Sequence, residues 1–159
     1  MLILNGLTSS LFRNYEDLPF KIHTSNNRKL RYLDLEKDLD CLLRDCRTNH
    51  RRMIKKAQSN PTLNFSLSFS NQLDKYYELH RATHARSSLI AHPLDYFNLI
   101  FNQFVEKGAA IVGCVREFEE PVTYINYGIF GKVAHYWSGA IDERAYKMGA
   151  NHLCHWQLI

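Results

Sequence analysis

At 159 residues the chain is long enough for one domain with its own core and too short for two ordinary ones. A composition of 45% hydrophobic, 13% aromatic and 23% charged residues excludes a disordered tail, and a net charge of +4 is a mild basic excess that falls short of a nucleic-acid signature. The start of the chain has no charged segment before a long apolar core, and no apolar run reaches membrane length, so a cytoplasmic protein without a membrane span is expected.

Residues 1–28 read as a connector or the remnant of a preceding half. A short apolar strand, Leu2-Ile3-Leu4, leads through Leu11 and Phe12 to the polar run Thr24-Ser25-Asn26-Asn27-Arg28. From Asp34, expected as an N-cap, Leu35, Leu39, Leu42, Cys46, Met53 and Ala57 recur at helical spacing until Asn60-Pro61 stops them. The opposite face carries Arg44, Arg47, Arg51, Arg52, Lys55 and Lys56, a charge run that reads first as a solvated face.

Alternating Leu63, Phe65 and Leu67 predict a half-buried strand over 62–68. Ser70 or Asn71 is expected to cap the helix carrying Leu73, Tyr76, Tyr77, Leu79 and Ala82. A further helix is expected from Pro93, with Phe97, Ile100, Phe101, Phe104 and Val105 on its apolar side and Gly108 at its end. His92 before it suits a cap or a packing position better than catalysis.

Three strands are expected at 109–118, 122–130 and 132–141, with turns at Glu119-Glu120-Pro121 and Gly131, hence an antiparallel meander. The first is continuously apolar, as a strand covered on both faces would be. After Asp142 a last helix runs through Met148, Leu153, Trp156 and Leu158. The fold class is therefore α/β (α+β), a mostly antiparallel sheet flanked by helices.

No Ser/His/Asp triad, P-loop or dinucleotide loop is present. Cys41, Cys46, Cys114 and Cys154 lack metal-ligand spacing, so reduced thiols and no metal are expected. The informative place is the last strand-to-helix junction, where Tyr136-Trp137-Ser138-Gly139-Ala140 closes a strand and Arg144 to His152 opens a helix. A helix N-terminus presents unpaired N–H groups to an anion, and Arg144 and Lys147 add charge.

Several segments resemble the FemAB-like branch of the GNAT acyltransferase superfamily: Arg51-Arg52-Met53-Ile54-Lys55-Lys56-Ala57, Tyr77-Glu78-Leu79-His80, His92-Pro93-Leu94-Asp95-Tyr96-Phe97, and above all Ala134 to Ala140 with Lys147 to Leu153. The order of elements from Thr62 resembles the first two-thirds of that fold, so the resemblance implies a domain over 29–159 that is incomplete at its C-terminus.

It further implies that the backbone from Tyr136 through Trp137 and Ser138 to Gly139 faces an acyl thioester carbonyl, and that Arg144, Lys147, Gly149, Ala150 and Asn151 cradle the pyrophosphate of an acyl-CoA, such as acetyl-CoA. Lys147 stands where the superfamily loop has its first small residue. Direct transfer to an amine needs a base and an acid. Tyr136, His135 and Glu117 are the first candidates, with Tyr127, Asp142 and His152 beside them.

Three functions compete. The first is an N-acyltransferase acting on a small amine or amino sugar; the second is a FemAB-type transferase taking its acyl group from aminoacyl-tRNA to build peptidoglycan bridges. The third is a non-catalytic fragment. An exposed strand edge at 132–141 would invite self-association.

Overall fold

The computed structural model describes residues 33–159; the expectations for 1–28 lie outside the described residues. The chain divides into two compact units at Lys37/Asp38, and the second, Asp38–Ile159, holds every helix and strand described below.

Two helices replace the single one expected from Asp34. Helix α1 spans Leu39–Asp45 and α2 spans Thr48–Gln58, with Cys46 and the α2 N-cap Arg47 extended between them. Asp38, not Asp34, caps α1: its carboxylate accepts the Cys41 N–H at 2.7 Å. No glycine or proline marks the break. The Arg51 guanidinium of α2 holds it, donating to the carbonyls of Arg44 at 2.8 Å and Cys46 at 3.4 Å, which would otherwise be unpaired at the end of α1.

Strand β1 (Leu63–Leu67) follows, then a short 3-10 turn (Ser70–Gln72) and helix α3 (Leu73–Arg86). Neither Ser70 nor Asn71 caps α3; Gln72 is its N-cap without a side-chain bond, and the Ser70 N–H is taken by the Glu106 carboxylate at 3.3 Å. Helix α3 ends in a Schellman motif, in which Leu89 N–H reaches the His84 carbonyl and Ser88 N–H the Ala85 carbonyl, with Ser88 at φ 52°. Helix α4 (Leu94–Ile100) has Pro93 as its N-cap and not its first helical residue. It runs on into a π-helical turn, Phe101–Val105, whose i→i+5 bonds include Glu106 N–H to the Phe101 carbonyl. Gly108 leaves it at φ 70°.

The meander is as expected in order, with strands β2 (Ala110–Glu117), β3 (Glu120–Phe130) and β4 (Val133–Ile141). The first turn differs. Glu117 pairs with Glu120, so the loop is Phe118-Glu119, and Pro121 sits within β3 beside a register shift at Val115/Arg116. Phe118 supplies the positive φ, 53°, that the tight turn requires. Among the described residues the sheet order is β1-β2-β3-β4, antiparallel throughout, which leaves β4 at an edge.

Both faces of the sheet are covered. On one, Tyr76, Phe97, Ile100, Phe101 and Val105 from α3, α4 and the π turn pack on Ala110, Val112, Cys114, Tyr124 and Ala140. On the other, Ala57 of α2 and the last helices bury Val115, Val122 and Ile125. Strand β2 therefore reads as a continuous apolar run because it is sandwiched. The expected last helix is also two: α5 (Glu143–Met148) and α6 (Ala150–Gln157), separated by Gly149 in the left-handed region at φ 76°. A methyl at Gly149 would come within 2.7 Å of the Met53 carbonyl oxygen, so glycine is demanded both by the backbone angle and by close packing on α2.

Candidate functional site at the β4 bulge

The register between β3 and β4 slips once. Asn126 opposes Ser138 and Tyr127 opposes Tyr136, so Trp137 is an extra residue on β4. Such a bulge re-aims side chains and frees backbone groups from the ladder. Here it places Tyr136 on the α6 face, where it meets Tyr127 and His155, while both Trp137 and Ser138 turn to the α3–α4 face. Trp137 meets the Phe104 ring edge-on at 5.5 Å and covers Gly128, where a methyl would overlap the indole.

Ser138 Oγ stands 2.7 Å from the Tyr76 hydroxyl. Burial pushes the Tyr76 phenol well above its usual range, against the opposing pull of Ser138 and Asn126. Asn126 is fully buried beside that phenol, and neither of its amide atoms makes a hydrogen bond of ordinary geometry. The far end of β4 is clamped to α3: Thr83 Oγ1 accepts the Ile141 N–H at 2.8 Å, and Arg86 donates to the Ile141 carbonyl.

On the α6 face the Tyr127 hydroxyl lies 2.7 Å from His155 Nδ1. Burial pushes Tyr127 up to about 12 and, with His152 nearby, His155 down to about 4. At neutral pH the phenol therefore keeps its proton and the imidazole is neutral, so the bond joins two uncharged groups. The pair holds structure and does not ionise. His152 Nε2 lies 3.0 Å from His50 Nδ1, tying α6 to α2, and burial lowers its pKa. Burial also raises the pKa of Tyr136, which is 48% exposed beside the bulge.

The candidate residues thus fall in two groups. Tyr136, Trp137, Ser138 and Gly139 surround the bulge, with His135 opposite Gly128, and the Tyr136 hydroxyl lies over Gly139, where a methyl would stand 2.9 Å from it. Glu117 belongs to the other group. It pairs with Arg144 at 3.6 Å, and it lies six steps along β2 from Ile111, which is level with Tyr127, so it stands about 20 Å from Tyr136 along the sheet.

Asp142 caps α5 through the Arg144 N–H at 2.8 Å and also grips the Arg144 guanidinium. Arg144 in turn holds the Asp142 carboxyl below its usual range. Lys147 is exposed, and its carbonyl accepts from Lys56 Nζ at 2.8 Å. Ala150 is fully buried, and Asn151 Oδ1 is buried without a partner. His92 packs: its N–H donates to His80 Nε2 and its ring stacks on Tyr96.

Sequence reasoning missed Tyr76, Asn126 and His155. A polar residue at 126 inside an apolar strand was a visible signal for the second; the first and third depend on pairings 62 and 28 residues apart. Two open grooves, of about 430 Å³ along α3 at Glu78, Arg81 and Leu89 and about 400 Å³ between α2, β1 and α6, include none of residues 135–151. Among the described residues no cluster of His, Cys, Asp or Glu suits a metal ion, and no helix is long and apolar enough to cross a membrane.

Comparison with solved structures finds this fold elsewhere. FemX shares the fold over 77% of this chain and 47% of its own, at 14% identity and a TM-score of 0.70. The ribosomal-protein-S18-alanine N-acetyltransferase from Escherichia coli matches over 60% of this chain and 56% of its own, at 11% identity and a TM-score of 0.52. The chain thus spans about half the length of each. No curated protein matches it in sequence. The family model for the acetyltransferase (GNAT) domain matches residues 44–159, most of the chain, and the chain belongs to that family.

Proposed function

We propose that the domain is an acyltransferase that moves an acyl group, acetyl in the simplest case, from the thioester of acyl-CoA to the amine of a small molecule or sugar. The observation that carries the reading is the β-bulge at Trp137 on an edge strand, because there backbone groups leave the ladder beside an open edge and can polarise a carbonyl. From Trp137 in β4 to Asp142, just past its end, the chain runs five residues, about 17 Å, a length comparable to an extended pantetheine arm. The pyrophosphate is assigned to the turn from Arg144 to Asn151. Since Asp142 and Glu117 already engage Arg144, exposed Lys147 is the more available cation.

The reaction needs no metal. The amine nitrogen attacks the thioester carbon, the carbonyl electrons move onto oxygen, and their return expels the thiolate, which takes up the proton the amine loses. Tyr136 and His135 are the proton-transfer candidates beside the bulge. Glu117 stands at the pyrophosphate end and serves Arg144.

A second reading, transfer from aminoacyl-tRNA, is favoured by the structural likeness to FemX and by the exposed Arg52, Lys55 and Lys56 of α2. Calorimetry separates the two. Acetyl-CoA should bind, and Lys147→Glu should weaken it; tRNA binding with a steep salt dependence would favour the second reading. Failure to bind either would sink both. Pairing of two chains through the β4 edge belongs to the same proposal and is read by size-exclusion chromatography.

A further inference from the structure

Resting on the acyltransferase reading, we propose that the Ser138 side-chain hydroxyl is a catalytic donor to the acyl oxygen, and that Tyr76 and Asn126 are the positioning residues that orient it. In a regular ladder Tyr136 and Ser138, two residues apart, would share one face; the extra residue turns Tyr136 to the α6 face and leaves Ser138 on the α3–α4 face, part-exposed on the edge strand. There its oxygen is held from behind by the Tyr76 hydroxyl at 2.7 Å.

The direction of that bond decides the chemistry. Each hydroxyl has one proton. If Tyr76 donates to Ser138, the serine proton is left free to point outward, toward the edge where the thioester would lie. Asn126 biases the pair that way. It faces Ser138 across the ladder, contributes to the environment of the Tyr76 phenol, and holds a buried amide whose N–H atoms make no hydrogen bond of ordinary geometry.

A buried amide left without a partner is costly, so its presence beside the bulge asks for an explanation. Rotation of that amide completes a chain in which Asn126 Nδ2–H donates to Tyr76, Tyr76 to Ser138, and Ser138 to the ligand oxygen. Such chains strengthen each member. Nothing is transferred along it: the acyl oxygen gains the carbonyl electron pair during attack, and the serine hydroxyl stabilises it by hydrogen bonding while the C–N bond forms and the C–S bond breaks.

The test uses the whole 159-residue chain with acetyl-CoA, following release of free thiol in the presence of ethanolamine, glucosamine or lysine, with aminoacyl-tRNA as donor in a parallel arm. Ser138→Ala should lower kcat about 10²-fold, as loss of an oxyanion donor does, with KM for the donor within twofold. Ser138→Thr should restore most of it. Tyr76→Phe, which removes one oxygen from a packed ring, should cost about tenfold, the size of effect that supporting residues show. The double variant should be no worse than Ser138→Ala alone, because Tyr76 acts only through Ser138. Full kcat in Ser138→Ala, or losses that multiply, would overturn the proposal while leaving the acyltransferase reading in place. No thiol release and no transfer by the unaltered chain with either donor would overturn both.

Discussion

The Trp137 indole occupies the space above Gly128, and the two residues lie on neighbouring strands beside the bulge. Gly128→Ala should therefore expel the ring from the Phe104 edge. The expected outcome is a red-shifted tryptophan emission, read against Trp156 in a Trp137→Phe background, and a loss of about 1–3 kcal/mol, the usual cost of overpacking. Unchanged emission would show that the ring is not fixed there.

Gly149 combines a left-handed backbone with the Met53 carbonyl at methyl distance. Gly149→Ala should cost at least about 1–2 kcal/mol from the backbone angle alone, measured by urea unfolding. A neutral substitution would mean that α2 and α6 are not packed as described.

Ser88 is the reverse case, a non-glycine at the left-handed position that ends α3. Ser88→Gly should stabilise the chain by up to about 1 kcal/mol, because glycine occupies that region without a Cβ penalty. A lower urea midpoint would show that the serine contributes something beyond the turn.

His80 is fully buried between His84 and His92, and burial, with those two neighbours, pushes it down from 6.5 to about 4; His155 is lowered to about 4 in the same manner. The unfolded chain binds these protons first as pH falls. Stability should thus be level above about 6.5 and decline between about 6.5 and 4. Urea midpoints at pH 7.5 and 4.5 check it, and His80→Gln, which keeps an acceptor for the His92 N–H, should flatten the decline.

All four cysteines are free thiols. Cys41 and Cys46 should react with a thiol reagent in the native chain. Cys114 and Cys154 are buried, with burial raising the thiol pKa of each, and should react only on unfolding. Two fast groups in the native chain and four in urea is the expected count.

Much of this architecture could be read from spacing. The alternation at Leu63, Phe65 and Leu67, the apolar run of β2 and the punctuation at Gly108 and Gly131 each reflect local physics, and each element formed where that physics put it. The misses have a common cause. The α1–α2 break rests on the reach of Arg51 to two carbonyls, and the true hairpin turn on Phe118 accepting a positive φ that its side chain disfavours. Gly149 was visible as a glycine, but that it answers to the Met53 carbonyl depends on two helices meeting. At the candidate site, the motif from Tyr136 to Gly139 was legible as the close of a strand, which is β4. The bulge is a register property shared with β3, and no single strand carries it.

The π turn at Phe101–Val105 has its own arithmetic. A five-residue turn with i→i+5 bonds absorbs one residue more than an α-helix would, so everything after it is rotated by one residue's angle, about 100°, relative to a regular continuation. Phe97 and Phe101 stay sealed against Tyr76, while Phe104 emerges at the rim and meets Trp137. Removing a single residue there would regularise the helix, swing Phe104 away and leave the indole without its lateral stop. The position of the indole beside Ser138 is in that sense set by a one-residue insertion in a helix on the far side of the ring, a place where length variation, more than side-chain substitution, would move it.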